Sequence, residues 1–179
     1  MARHFVALLP PPPLAEAIDQ LKRHFAETYG SQAALRSPAH VTLQPPFEWP
    51  EPEKSRLETT LATFAAGRPD CDIELTGFGA FAPRVIYVDV VPTAALAELQ
   101  AALAATLAHD LGVVDAQARR RFVPHLTVAF RDLTPAAFRA AWPQFQERPF
   151  SARFTAHGIA LLTHDGRRWQ VECEYPFAP

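Results

Sequence analysis

Two short segments of the sequence carry the same side-chain pattern, a histidine and a threonine separated by one apolar residue. They are His40-Val41-Thr42-Leu43 and His125-Leu126-Thr127-Val128, 85 positions apart (125 minus 40). Side chains alternate across a β-strand, so the histidine and the threonine of each segment share one face and the apolar residues share the other. Each segment therefore predicts a strand with one face toward a core and one face toward a cleft.

Two imidazoles and two hydroxyls around one small ligand suit phosphodiester chemistry. A neutral imidazole can accept a proton from an attacking water or hydroxyl, and a protonated imidazole opposite can donate one to the departing oxygen. Both states are accessible near neutral pH because the ordinary pKa of histidine is about 6.5. Threonine hydroxyls can donate to the non-bridging phosphate oxygens, whose negative charge grows in the transition state. This chemistry requires neither a metal ion nor a covalent nucleophile.

The rest of the sequence predicts the elements that hold these segments. Apolar periodicity and prolines indicate the order strand, helix, strand, helix, strand, twice over, with a His-X-Thr strand second each time. The predicted strands are 4–9, 40–43, 71–81, 85–91, 122–130, 150–162 and 169–174, and the predicted helices are 14–29, 51–66, one that Thr93 caps, and 135–142. We therefore predict an α+β fold of one domain with two similar lobes, 1–82 and 83–179. The alternative to a duplication is that the two halves look alike only because strands and helices follow one another in any α+β chain.

Length and composition limit the classes of function. The chain has 179 residues, of which 49% are apolar and 20% charged, enough for the core of one domain. Its net charge of −2 argues against non-specific binding to long nucleic acids or acidic membranes, but leaves space for a pocket that binds one phosphate. Two cysteines, Cys71 and Cys173, can form neither a disulfide framework nor a four-thiolate metal site. No signal peptide or membrane span is visible, so we predict a cytoplasmic protein.

The segments His40-Val41-Thr42-Leu43 and Pro124-His125-Leu126-Thr127-Val128 resemble the two signature motifs of the two-histidine (2H) phosphoesterase superfamily. Its members include the bacterial 2′-5′ RNA ligase/RNA 2′,3′-cyclic phosphodiesterase proteins, and the resemblance covers most of the chain. It implies a duplicated bilobal α+β fold, with an antiparallel sheet flanked by helices in each lobe and the active-site cleft between the sheets. It also implies metal-independent, cofactor-free chemistry on 2′,3′-cyclic phosphates. In that chemistry His40 and His125 are acid and base, in an order left open, and Thr42 and Thr127 are phosphate ligands.

The sequence departs from the ligase branch just after the second motif. That branch commonly has an arginine five residues after the second histidine, where this chain has Phe130 and then Arg131. Strict alternation places Arg131 on the face of the second His-X-Thr pair, and Gln44 on the face of the first. We therefore predict both as substrate contacts, with a solvated strand end as the alternative for Arg131. The segment from Thr42 to Phe47 is closer to small, uncharacterised 2H branches, which argues against tRNA or long RNA as substrate. We predict a small phosphodiester or an RNA end as substrate, no long duplex, no membrane partner and a monomeric protein.

Several residues and functions stay open at this level. The basic run 119–121 could contact a nucleic-acid backbone or be a solvated loop, and His4 could line the cleft. Aromatic residues near the predicted cleft could stack on a base or belong to the core; they are Phe47, Phe78, Phe81 and Tyr87. A metal hydrolase would need three or four ligands, and no HExxH motif or carboxylate cluster adds to the two histidines. A non-catalytic module that binds a phosphorylated nucleotide would use the same donors as an enzyme.

Overall fold

The computed structural model describes residues 1–114 and 121–178. Within these residues the chain forms eight strands, four α-helices and two short 3-10 helices. In chain order they are β1 (Ala2–Leu8), α1 (Pro12–Tyr29), a 3-10 helix (Ala33–Arg36), β2 (Val41–Trp49), a 3-10 helix (Glu51–Glu53), α2 (Lys54–Ala65), β3 (Cys71–Phe81), β4 (Val85–Val90), α3 (Ala94–Leu111), β5 (His125–Ala129), α4 (Pro135–Phe145), β6 (Ser151–Ala156), β7 (Gly158–His164) and β8 (Trp169–Pro176). The predicted α+β class is confirmed.

The strands form two four-stranded antiparallel sheets. The first sheet has the order β2-β1-β7-β8, and the second sheet has the order β5-β4-β3-β6. The two His-X-Thr segments therefore occupy the same place, since β2 and β5 each stand at one end of their sheet. β1 and β4 also correspond, since each is the second strand of its sheet and pairs with the His-X-Thr strand.

The strand pairing does not divide the chain at residue 82. β3 continues into β4 through a short turn at residues 82–84, and such a hairpin keeps both strands in one sheet. All four strands of the second sheet thus lie between Cys71 and Ala156. β7 and β8 return to the first sheet, where β7 pairs with β1. The predicted boundary between 1–82 and 83–179 is therefore wrong for the sheets, because β3, β7 and β8 lie in the sheet of the other half.

Two predicted strands have different limits in the structure. The segment 150–162 is two strands, because the chain leaves the second sheet at His157 and enters the first at Gly158. β2 does not end before Pro45 but runs on to Trp49. A proline is tolerated there because β2 is the outermost strand of its sheet, where one side of the backbone has no ladder partner.

The helices cover the outer faces of the sheets. α2 packs on the first sheet at β8, α3 packs on β2 of the first sheet and on β3 of the second, and α1 and α4 pack on the second sheet. α3 begins as the sequence predicts, with the Thr93 hydroxyl accepting a hydrogen bond from the Leu96 amide at 3.2 Å. α1 joins two strands of the first sheet but packs against β5 of the second, so it ties the two sheets together. Among the described residues, no helix combines the length and the apolar character that a bilayer span needs.

Candidate active site

The two His-X-Thr segments direct their side chains as alternation predicts. Val41 and Leu126 are fully buried in the main core, whereas the histidine and threonine on either side of each are only partly buried. β2 and β5 are in contact with each other, and the charge of His125 acts on His40. The fold therefore brings the two imidazoles together from two different sheets.

Both imidazoles are held by the same backbone contact. His40 Nδ1 lies 2.7 Å from the carbonyl oxygen of Pro38, and His125 Nδ1 lies 2.7 Å from that of Val123. A carbonyl oxygen can only accept, so Nδ1 carries the proton and donates. In the neutral ring Nε2 is then unprotonated, and it is the nitrogen left to exchange a proton with a substrate.

A bulge directly after Thr42 changes the faces of β2. Thr42 lies opposite Ala7, but Gln44 lies opposite Val6, with a register shift between these pairs. Val6 belongs to the main core, whereas Ala7 belongs to the small apolar cluster on the other face of the sheet. Gln44 is accordingly 2% exposed. The predicted placement of Gln44 beside the first His-X-Thr pair is wrong, because a bulge breaks the alternation on which it rested.

β5 carries a bulge in the equivalent place. Thr127 lies opposite Tyr87 and Ala129 opposite Ile86, again with a register shift between the pairs. The strand ends at Ala129, two residues before Arg131. The alternation that placed Arg131 on the face of His125 and Thr127 is therefore also lost. The turn after β5, and not the strand, determines the position of Arg131.

That turn holds Arg131 in an uncommon backbone conformation. Its φ is +59°, in the left-handed region that residues other than glycine rarely adopt, and the Asp132 amide bonds to the Phe130 carbonyl at 2.7 Å. The Asp132 carboxylate accepts from the Ser31 hydroxyl at 2.9 Å and from the amides of residues 32 and 33 at 2.9 and 3.0 Å. The exposed Arg131 guanidinium lies 5.3 Å from the Phe130 ring centroid. Contacts to the α1 side of the molecule thus fix the turn that presents this arginine.

A row of rings crosses the first sheet from His40. The His40 and Phe5 ring centroids are 4.7 Å apart, Phe5 and Trp169 are also 4.7 Å apart, and Trp169 and His164 are 4.9 Å apart. The Arg3 guanidinium lies 5.5 Å from the Trp169 ring. Phe5 and Trp169 were not predicted as site residues from the sequence. The sequence places Phe5 in the predicted strand 4–9. Only the register of β1 against β2 and β7 shows which face of the sheet Phe5 occupies.

A shorter aromatic cluster surrounds His125 on the second sheet. Its ring centroid lies 4.9 Å from that of Tyr87 and 5.2 Å from that of Phe81. The Tyr87 ring lies over Gly79 so closely that a Cβ atom at this glycine would overlap it. Tyr87 and Phe81 were two of the four aromatic residues named from the sequence, and both contact a His-X-Thr histidine.

Other residues named from the sequence lie elsewhere. Phe78 packs against Phe145 in the main core, and Phe47 packs against that core from the side of His4. His4 is 1% exposed and lies 2.7 Å from the Thr163 hydroxyl, so it does not line the cleft. In the basic run, residues 119 and 120 lie outside the described residues. Within residues 1–114 and 121–178, no three His, Cys, Asp or Glu side chains form a group that could hold a metal ion.

The two histidines differ in the charges around them. Burial, with a smaller contribution from the Lys22 ammonium, lowers the pKa of His40 to about 4. Burial also lowers the pKa of His125, but the Asp89 carboxylate opposes that effect. Asp89 lies directly opposite His125 on the neighbouring strand. A shared backbone geometry is therefore combined with different surrounding charges.

Two antiparallel sheets that each present one His-X-Thr strand, with paired imidazoles between them, define the class of two-histidine phosphoesterases. Residues 10–168 match the model of the 2′-5′ RNA ligase superfamily, and the chain belongs to this superfamily. It is similar to "Putative phosphoesterase GK0864" of Geobacillus kaustophilus, with 29% identity over 89% of this chain and 87% of that protein. A relative from Geobacillus thermodenitrificans named "Putative phosphoesterase" is 30% identical over 73% of this chain and 72% of its own length.

Solved structures share the fold at lower sequence identity. TT0787 of Thermus thermophilus superimposes with a TM-score of 0.74 at 21% identity, covering 98% of this chain and 97% of that one. LigT of E. coli in its apo form superimposes with a TM-score of 0.72 at 21% identity, covering 99% and 98%. The predicted bilobal fold of the 2H phosphoesterases is thereby confirmed.

Proposed function

We propose that the protein is a metal-independent phosphoesterase that hydrolyses, or reversibly forms, a 2′,3′-cyclic phosphate or related phosphodiester on nucleotides or RNA ends. The observation that carries this proposal is the equivalent anchoring of His40 and His125. Each donates from Nδ1 to the carbonyl two residues earlier at 2.7 Å, and each keeps Nε2 for the substrate. Two such imidazoles from opposite sheets suit a reaction that removes one proton and supplies another.

In hydrolysis, a water oxygen attacks phosphorus while one imidazole Nε2 takes its proton. The bond from phosphorus to the 2′ or 3′ oxygen breaks, and the second imidazole donates its Nε2 proton to that oxygen. The products are a phosphomonoester and a free hydroxyl, so protons and charge balance. Thr42 and Thr127 donate from their hydroxyls to the non-bridging oxygens, where negative charge increases. In the reverse direction, a hydroxyl attacks and the two imidazoles exchange their roles.

The surrounding charges favour His40 as the base and His125 as the acid in hydrolysis. Burial and the Lys22 ammonium keep His40 neutral, since they lower its pKa to about 4. The Asp89 carboxylate favours the protonated form of His125. A bound phosphodiester anion would raise both pKa values, because a nearby negative charge stabilises imidazolium.

A small nucleotide or a single RNA end is the substrate that best suits the site. Aromatic rings flank both histidines, with Phe5 and Trp169 on one side and Tyr87 and Phe81 on the other. Phe5 and Tyr87 are buried and pack against the imidazoles, whereas Phe81 is exposed and Trp169 is half-buried, so these two rings can stack on a base. Structures of E. coli LigT with 3′-AMP, NADP+ and ATP support a nucleotide ligand for this chain as well. We also propose that Arg131, exposed at the end of the β5 turn, contacts a phosphate or sugar of the substrate.

The first test is turnover of 2′,3′-cyclic nucleotides by the purified protein with and without EDTA. Hydrolysis should survive chelation, and His40→Ala and His125→Ala should each lower kcat/KM by at least about 10²-fold, the size of a general acid–base contribution. His157→Ala is the matched control, because His157 is exposed and pairs with Asp70.

The outcomes separate the remaining functions. Full activity in either His40→Ala or His125→Ala would rule out the two-histidine mechanism. Binding of cyclic nucleotides without turnover by the wild type would identify a non-catalytic binding module. Loss of activity on chelation, with recovery on adding zinc, would identify a metal hydrolase.

The pH profile tests the assignment of base and acid. The active free enzyme needs neutral His40 and protonated His125, so kcat/KM should rise with pH as His40 loses its proton and fall as His125 loses its own. Both pKa values are lowered by burial, so the optimum of kcat/KM should lie below the ordinary histidine value of about 6.5. The optimum of kcat should lie at higher pH, since bound phosphate raises both values. An alkaline limb well above pH 7 in kcat/KM would contradict the assignment.

A further inference from the structure

A lysine lies buried behind His40. Lys22 is on the face of α1 that also buries Ile18 and Phe25, and its side chain is 2% exposed. Its Nζ lies 2.9 Å from the Asp19 carboxylate and donates to the Ser37 carbonyl at 2.9 Å. Burying an ammonium costs several kcal/mol before pairing is counted. A methionine would fill the same position without that cost, so the charge requires a reason other than packing.

The contact to Ser37 leads directly to His40. Ser37 is the extended residue that ends the 3-10 helix Ala33–Arg36, and it precedes Pro38. The Pro38 carbonyl accepts the hydrogen bond from His40 Nδ1 at 2.7 Å. Lys22 thus holds Ser37, and the next residue, Pro38, sets the orientation and tautomer of the imidazole.

The groups that face His40 come from three elements. α1 supplies the Lys22 ammonium with its partner Asp19, β5 supplies His125, and β1 supplies the uncharged ring of Phe5. Lys22 and His125 both disfavour a proton on His40, and the Asp19 carboxylate is occupied by Lys22. On the other side of the site the group opposite His125 is a carboxylate, Asp89, which has the reverse effect.

We propose that Lys22 is a positioning residue for His40. It holds the segment of Ser37 and Pro38 so that the imidazole keeps its proton on Nδ1 and presents an unprotonated Nε2 to the substrate. Lys22 itself touches no substrate in this role. The role rests on the proposed function, in which His40 is the general base.

The experiment is a titration of the histidine side chains by ¹⁵N-resolved NMR in the wild type and in Lys22→Met. The wild type should show His40 with its proton on Nδ1 and a pKa well below the ordinary value. In Lys22→Met the pKa of His40 should rise, because one nearby positive charge is removed. The single tautomer should give way to a mixture, while His125 is unchanged. Asp89→Asn is the matched control, which should lower the pKa of His125 and leave that of His40 unchanged.

Kinetics supply the second readout. Lys22→Met should lower kcat for cyclic nucleotides about tenfold with little change in KM, because the base loses its orientation but the substrate loses no contact. The acid limb of the kcat/KM profile should move to higher pH. A general loss of stability would change neither the tautomer nor this limb in a protein that circular dichroism shows to be folded.

Two results would overturn the proposal. One is a folded Lys22→Met in which His40 keeps the wild-type pKa and tautomer. The other needs no variant: a wild-type His40 with its proton on Nε2, or with an ordinary pKa. If Lys22→Met does not fold, Lys22→Gln, which is neutral but retains a donor, serves in its place. Because the NMR readout does not depend on turnover, an inactive wild type with these shifts present would refute the proposed function and leave only the effect of Lys22 on the His40 ring, without a role in a reaction.

Discussion

The half of the site around His40 and the half around His125 are built on the same backbone and surrounded by different side chains. In both, the imidazole is anchored to the carbonyl two residues earlier, and a bulge follows the threonine. The His40 half has a buried ammonium behind it, whereas the His125 half has a carboxylate beside it. Repeating the backbone gives the two imidazoles the same anchoring, and the side chains nearby then place a charge of opposite sign beside each.

The halves also differ beside the threonines. Next to Thr42 the neighbouring strand supplies Ala7, which pairs with Ala160. In the equivalent place beside Thr127 it supplies Tyr87, whose ring lies over Gly79. Thr42 therefore has small neighbours, whereas Thr127 lies beside an aromatic ring. The two sides of a substrate would meet different surroundings.

The largest expected effect comes from changing the leaving group of the substrate. With a cyclic nucleotide, loss of either histidine should cost about 10² to 10⁴-fold. With a p-nitrophenyl phosphodiester, His125→Ala should recover most of its activity relative to wild type, since nitrophenolate leaves without a proton. His40→Ala should not, because the attacking water still needs a base. Equal losses for both variants on both substrates would show that the halves are not specialised.

The stability of the fold should depend on pH through the His40 half. A histidine whose pKa is lowered on folding contributes stability that is present above its ordinary pKa of about 6.5 and is lost as the pH falls toward the folded value, about 4 for His40. Loss of up to about 3 kcal/mol is expected over that window. Urea unfolding at pH 7 and pH 4.5 should show a smaller loss in His40→Ala than in wild type. A loss of the same size in both proteins would contradict the assigned shift.

The smallest expected effect concerns the His125 half alone. In Gly79→Ala the new Cβ would overlap the Tyr87 ring, so the ring must move away from its place beside His125. We expect kcat/KM to fall about three- to tenfold, by roughly 1 kcal/mol, and the NMR signals of the His125 ring to shift while those of His40 do not. Gly67→Ala is the control, since a Cβ added at Gly67 would meet no atom within 4 Å. Unchanged kinetics with a displaced Tyr87 would show that this ring takes no part in catalysis.

Local features of the fold were predictable from the sequence. The limits of β3 and the Thr93 cap of α3 follow from short-range patterns, and both agree with the structure. Sheet membership does not, because the pairing of β1 with β7 depends on the whole chain. The faces of Gln44 and Arg131 were missed for a different reason. A bulge adds one residue to a strand without an obvious sequence signal, and every side chain beyond it changes face.

The burial of Lys22 is indicated by the spacing of residues in α1. The apolar stripe of α1 includes Ile18 and Phe25, and Lys22 lies four residues after the first and three before the second. A lysine at that spacing lies on the buried face of the helix. Its partners could not be inferred, because Ser37 is reached only when the chain turns back after α1.

The pairing of β1 with β7 also closes a long loop of the chain. His4 and Thr163, which meet across these strands, are 159 residues apart, whereas the four strands of the second sheet all lie between Cys71 and Ala156. The entropy cost of closing a loop grows with its length, so the pairing of β1 with β7 costs more than the pairings within the second sheet. The His40 side of the site thus depends on a contact between distant parts of the sequence, and the His125 side is built from one continuous stretch.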